Sequence, residues 1–177
     1  MTVSVIEAKL KDAEVISKLS TETFVETYSW YNTPENMQEY TKKHFSVEQT
    51  KKDFALDNTY FFTAYAENEL IGYAKLRVFE HPEELKGKRH IEIERIYVQK
   101  KHQDKKAGYA IIKKCMEFAK AKNFEIIWLG VWEQNHKALA FYTRVGFEKF
   151  GLHTFHLGND AQTDYLMKVD LTEQDRI

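Results

Sequence analysis

The chain has 177 residues, 43% of them hydrophobic and 30% charged, with a net charge of −1. That length suits one compact domain, 1–177, and is too short to divide comfortably into two. Near-neutral charge gives neither the basic field that nucleic acid requires nor a charged membrane-binding face, and the single cysteine, Cys115, rules out a disulfide framework.

Met1 to Lys11 lacks the apolar core of a signal peptide and no apolar run reaches membrane-span length, so a cytoplasmic location is expected. Val3-Ser4-Val5-Ile6 reads as a first strand. From Asp12 the apolar residues Val15, Ile16 and Leu19 follow helical spacing, and the helix extends towards Trp30. On it Glu22 and Glu26 form one stripe, and Phe24 and Tyr28 another. Pro34 opens a second helix through Tyr40 to His44, and a third runs from Val47 to Leu56.

Tyr60 to Glu67 and Leu70 to Phe79 are strands joined by a hairpin at Asn68-Glu69. The charged segment His81 to Arg89, with Pro82 and Gly87, reads as an exposed loop. Glu125 to Trp132 is a buried strand with Gly130 inside it. Asn135 to Val145 is helical, Gly146 ends that helix, and two last strands, Phe147 to Leu157 and Thr163 to Leu171, flank Gly158-Asn159-Asp160. This order predicts an α/β fold: a mixed, mostly antiparallel central sheet with helices on both faces.

Ile91 to Ala119 is the most informative stretch. In Ile91-Glu92-Ile93-Glu94-Arg95-Ile96-Tyr97-Val98 the apolar phase is odd-numbered, then even-numbered, which predicts a bulge between Glu94 and Ile96 in a central strand. Next comes Gln103-Asp104-Lys105-Lys106-Ala107-Gly108-Tyr109-Ala110, where a helix opens among small residues and lysines. The unsatisfied amides and positive dipole at such an opening favour an anion, typically a phosphate, although taken alone a lysine-rich, glycine-containing loop before a helix is more often a solvated connection. Cys115 shares its helix face with Ile111, Ile112 and Ala119 and reads as a buried core thiol.

The run from Gln103 to Gly108 resembles the acetyl-CoA pyrophosphate loop of GCN5-related N-acetyltransferases (GNAT), Gln/Arg-x-x-Gly-x-Gly/Ala, set five residues after a strand valine, here Val98. Gly108 fills the last position, while Lys106 stands where the family usually has its first glycine and is expected at negative φ. Asn135-x-x-Ala138-x-x-Phe141-Tyr142, followed by Gly146-Phe147, is similar to the family's second signature. By itself Asn135 reads as an N-cap and Tyr142, two turns on, as a half-buried aromatic.

The resemblance covers nearly all the chain and implies a GNAT-like fold and an N-acetyltransferase that uses acetyl-CoA as co-substrate, with no metal. It implies that Asn135 contacts the cofactor and that the Tyr142 hydroxyl protonates the departing coenzyme A thiolate. Ile96, Tyr97 and Val98 would offer backbone groups to the pantetheine arm. Residues Gln103, Asp104, Lys105, Lys106, Ala107, Gly108 and Tyr109 would hold the pyrophosphate. An attacking amine must lose a proton, and Glu94 is the first candidate to accept it, with Glu92 the second.

The segments His153 to Asp164 and Thr23 to Tyr28 look like the PaiA-type branch, which implies a polyamine acceptor such as spermidine or spermine. Glu22 and Glu26 would hold a distant ammonium, with Phe24, Tyr28 or Trp30 contacting it through a ring face. His153 and His156 read as hairpin-surface residues. Other readings stay open: acetylation of a protein or peptide N-terminus, a non-catalytic acyl-CoA-sensing module, and a homodimer as well as a monomer. A phosphate-loop nucleotide enzyme is disfavoured because no Gly-Lys-Ser/Thr follows the loop.

Overall fold

A computed structural model describes residues 2–103 and 106–172. Strands β1 (Val3–Glu7), β2 (Thr59–Ala66), β3 (Glu69–Arg77), β4 (His90–Val98), β5 (Ile126–Trp132), β6 (Glu148–Leu157) and β7 (Asp160–Asp170) form one sheet in the order β1-β2-β3-β4-β5-β7-β6. Among these strand pairs, β4 and β5 run parallel and the others antiparallel. The helices are α1 (Ala13–Tyr28), α2 (Pro34–Phe45), α3 (Val47–Phe54), α4 (Ala107–Ala121) and α5 (His136–Arg144).

Local chemistry sets several boundaries. Thr33 and Ser46 accept hydrogen bonds from the Asn36 and Gln49 amides and so start α2 and α3, with Pro34 at the first turn, where a missing N–H costs nothing. Glu67 and Asn68, both at positive φ, make the two-residue turn between β2 and β3 whose twist matches a hairpin.

The sheet is covered on both faces. Ile91 and Ile93 of β4 and Ile127 and Leu129 of β5 pack with Ile111, Ile112 and Cys115 of α4 and with Tyr142 of α5 in the larger core. On the opposite face Ile16 and Leu19 of α1 meet Phe61 and Tyr73, while Phe24, Met37 and Phe45 join α1 to α2. None of the described helices is long and apolar enough to cross a membrane.

The expected bulge is present and falls at Glu94. Lys75 pairs with Arg95 and Leu76 with Ile93, so Glu94 is the extra residue on β4. Ile91, Ile93, Ile96 and Val98 therefore all turn to the α4 side, and Glu94 and Arg95 sit together on the α1 side. Beside this bulge the parallel pair opens. β4 and β5 pair only at His90↔Ile126, Ile91↔Ile127 and Glu92↔Trp128, after which β4 continues with β3 and β5 with β7.

Candidate active site

The wedge between β4 and β5 is the centre of the site, because strand edges that diverge leave backbone groups unpaired inside the protein. The Gln99 amide bonds to Ile71 on β3, so by alternation Ile96 and Val98 present their N–H and C=O groups to the open side of β4. Tyr97 does not. Its carbonyl lies 2.7 Å from where a Cβ on Gly72 would stand, turned to β3, and its ring lines the cleft on the α1 face. As a backbone ligand for a pantetheine arm Tyr97 is therefore misassigned, since adjacent residues of a strand point opposite ways.

At the end of β4, Gln103 ties the two expected cofactor motifs together. Its Nε2 donates to the Val98 carbonyl at 3.3 Å, and its Oε1 accepts from Lys137 Nζ of α5 at 3.0 Å. Lys106 precedes α4 with φ 60° and ψ 16°, contrary to the expected negative φ. The loop thus keeps the left-handed turn that a glycine adopts freely, with a lysine in it. Asp104 and Lys105 lie outside the described residues.

Gly108 has a packing reason beside the expected one. A Cβ there would meet the Phe141 ring at 3.3 Å, so the glycine lets α4 approach α5. Ala107 is buried beside it, while Tyr109 on the same turn is exposed. Asn135 caps α5 by accepting from the Ala138 amide at 3.2 Å, which leaves its NH₂ group for a ligand. Tyr142 is buried at 8% exposure against Phe141 and Phe147, and burial raises its phenol above the ordinary value.

On the α1 face lies a cleft of about 630 Å³. Phe24, Tyr28 and Trp132 form aromatic walls, and Glu92, Glu94, Arg77 and Arg95 line its inner side. The Tyr97 hydroxyl donates to the Tyr28 hydroxyl, whose pKa burial pushes up to about 12. Of the residues expected to hold an acceptor, Phe24 and Tyr28 line this cleft. Glu22, Glu26 and Trp30 do not. Glu22 and Glu26 are exposed on the outer stripe of α1, Glu26 accepts from the Lys100 amide at 3.0 Å, and Trp30 is 85% exposed. The helix divides in the usual way, apolar face in and charged face out.

The cleft's carboxylates belong to a compact ionic network. Lys75 Nζ lies 3.0 Å from Asp53 and 2.8 Å from Glu94, and Arg77 contacts Glu92 at 2.6 Å and Glu94 at 3.4 Å. Arg95 sits 3.9 Å from Asp53 with its guanidinium over the Phe45 ring. This network separates the two candidate bases. Burial works to raise Glu94, but Lys75, Arg95 and Arg77 outweigh it and hold its carboxyl below the usual range. At Glu92 burial dominates over Arg77 and pushes the carboxyl up to about 7. A base must be both ionised and basic at working pH, and Glu92 meets that demand better.

Residues that the sequence did not single out complete the cleft. Arg77, Trp132 and Asp164 line it, and burial pushes the Asp164 carboxyl up to about 6. One signal pointed there: a glycine inside a buried strand marks a close approach, and a Cβ on Gly130 would lie 3.3 Å from Asp164 Oδ2. His153 is exposed on the β6–β7 hairpin, as expected, and also contributes to the cleft wall, where the register pairs it with Asp164. Arg77 left no local signal, because its pairing with Glu92 depends on strand register.

The comparisons with known proteins agree with this geometry. The family model for acetyltransferases of the GNAT family matches residues 22–147. An uncharacterized N-acetyltransferase in the pepI 3'region of Lactobacillus delbrueckii subsp. lactis is 35% identical over 170 residues, covering 94% of this chain and 96% of that protein. The spermidine N(1)-acetyltransferase of Thermoplasma acidophilum is 22% identical over 152 residues, 84% of this chain and 89% of its own. In fold, the chain is similar to the PaiA N-acetyltransferase of Thermoplasma acidophilum solved with coenzyme A, with a TM-score of 0.79, 20% identity and coverage of 96% and 99%. The family model over residues 22–147 and a relative 35% identical over 94% of the chain place it in the GNAT acetyltransferase family, and it is an acetyl-CoA-dependent N-acetyltransferase.

Proposed function

We propose that this enzyme acetylates a primary amine of a polyamine-class acceptor, with Glu92 as the base and Tyr142 as the acid. The observation that carries the acceptor class is the charge of the cleft: Glu83, Glu84, Glu92, Glu94 and Asp164 line it against the two guanidiniums of Arg77 and Arg95. Excess carboxylate beside aromatic walls favours a ligand with more than one ammonium. A spermidine acetyltransferase among the relatives supports the same class.

In this reading acetyl-CoA lies along the open edge of β4, with its pyrophosphate at the amides of Lys106, Ala107, Gly108 and Tyr109, where α4 begins. Gln103 braces that loop, and the NH₂ of Asn135 faces the arm. Ile96 and Val98 supply the backbone hydrogen bonds. The acceptor enters from the α1 face, so amine and thioester meet in the wedge.

The amine loses a proton to Glu92, directly or through water, and its nitrogen attacks the thioester carbon. A C–N bond forms and the C–S bond breaks. The thiolate takes a proton from the Tyr142 hydroxyl, which burial keeps protonated, and the second proton shed by the nitrogen as the amide forms restores that hydroxyl by way of solvent. Glu94 acts differently: by neutralising Lys75 and sharing Arg77 it keeps Glu92 from being fully claimed by one guanidinium.

Mass spectrometry of reactions with acetyl-CoA and a panel of polyamines, monoamines and peptides tests the assignment. Mono-acetylated spermidine as the main product is the expected result. Preferential labelling of peptide N-termini would overturn the acceptor class, and no transfer to any amine would favour an acyl-CoA-sensing role.

A further inference from the structure

We infer that Asp164, set over Gly130 between Tyr28 and Trp132, is the site that receives the second ammonium of the acceptor. This rests on the polyamine reading and names the residue that enforces it. Asp164 lines the cleft, yet among the described residues no Lys, Arg or His nitrogen lies within 4 Å of its carboxylate. Of the other cleft carboxylates, Glu92 has Arg77 and Glu94 has Lys75, Arg77 and Arg95, while Glu83 and Glu84, which also lack such a partner among the described residues, are exposed on the loop after β3 where Asp164 is half-buried. The nearest candidate on the adjacent strand, His153, is held below its ordinary value by burial first and by Arg77 and His156 after it, so at neutral pH it brings no charge. Asp164, with a carboxyl at about 6, is ionised there and lacks a counter-charge.

The surroundings fit an alkylammonium. Tyr28 and Trp132, with ring centroids 5.8 Å apart, stand in the same wall, and aromatic faces beside a carboxylate stabilise a partly desolvated cation. Gly130 keeps the space beside Asp164 Oδ2 open, since a Cβ would stand 3.3 Å from that oxygen.

Strand geometry also sets a length. Glu92 pairs with Trp128, and Gly130 lies two residues further along β5. With ~3.3 Å per residue along a strand and ~4.8 Å between paired strands, the backbone of Glu92 and that of Gly130 are at least about 8 Å apart, the strands diverging beyond Trp128. One nitrogen of a short diamine can therefore lose its proton to Glu92 while the other rests at Asp164.

The test compares kcat/KM for putrescine with that for butylamine, which has the same carbon chain and lacks the second nitrogen. Wild type should favour putrescine by about tenfold or more, and Asp164→Asn should bring that ratio close to one. Gly130→Ala should lower the ratio too, by displacing the carboxylate, and melting temperatures show that both variants fold. An unchanged ratio in both variants overturns the assignment, as does an equal loss for the two amines, which would place Asp164 at the reaction itself. If wild type acetylates neither amine, the polyamine reading fails on its own. Calorimetry of putrescine binding in the presence of coenzyme A then decides the subsite: weaker binding to Asp164→Asn supports it, and equal binding overturns it.

Discussion

The two sides of the β4–β5 wedge are built on different principles. The edge facing α4 and α5 is made of backbone: the open side of Ile96 and Val98, the start of α4 after Lys106, and the capped start of α5 at Asn135. The cleft facing α1 is made of side chains drawn from α1, α2, β3, β4, β5, β6, β7 and the loop after β3. Backbone recognition needs a particular chain path, which a short contiguous motif specifies. Side-chain recognition needs only that the right groups converge, and residues far apart in sequence can supply them. The cofactor edge is therefore suited to one constant ligand and the cleft to a ligand that varies among relatives.

The largest effect should come from the acid. Tyr142→Phe keeps the buried ring and removes its proton, so kcat should fall by about 10²- to 10⁴-fold while acetyl-CoA affinity measured by calorimetry changes little. A loss confined to affinity would move Tyr142 from chemistry to cofactor packing.

Glu92→Gln comes next, with a fall in kcat/KM of about 10²-fold. The wild-type pH profile carries the sign: burial raises this carboxyl, the base works only when ionised, and activity should therefore climb as pH rises through about 7. Glu94→Gln should retain more activity, because Glu94 is held ionised by Lys75, Arg95 and Arg77 and serves to neutralise them. Its main cost should be stability, about 1 to 3 kcal/mol by denaturant titration, since the change leaves partly buried cations without a counter-charge. If Glu94→Gln abolishes turnover at every pH while Glu92→Gln is active, the roles are reversed.

The smallest expected effects separate path from packing on the cofactor edge. Lys106→Gly should relieve a left-handed lysine and tighten acetyl-CoA binding or raise stability by about 0.5 to 1 kcal/mol. Gly108→Val should weaken binding only together with a lowered melting temperature, because the added side chain strikes Phe141. Weaker binding at an unchanged melting temperature would restore the direct ligand role for Gly108.

Sequence alone determined the element order, the bulge and the two cofactor motifs, because each is written in neighbouring residues. Apolar phase along β4 locates a bulge within two residues, and Asn135 with Tyr142 reads as one helix face. Sequence spacing also separated the aromatic stripe of α1 from its acidic stripe. It did not say which stripe faced the cleft. Tertiary structure decided that Glu22 and Glu26 point outward, that Tyr97 turns its carbonyl to β3, and that Gly108 serves the contact between helices. It also set the two candidate carboxylates apart in basicity, because basicity depends on burial and on cations brought in from β3 by strand register. Asp164 belongs to the same class: an aspartate near the end of the chain becomes a cleft residue only when β7 pairs with β5 and sets it over Gly130.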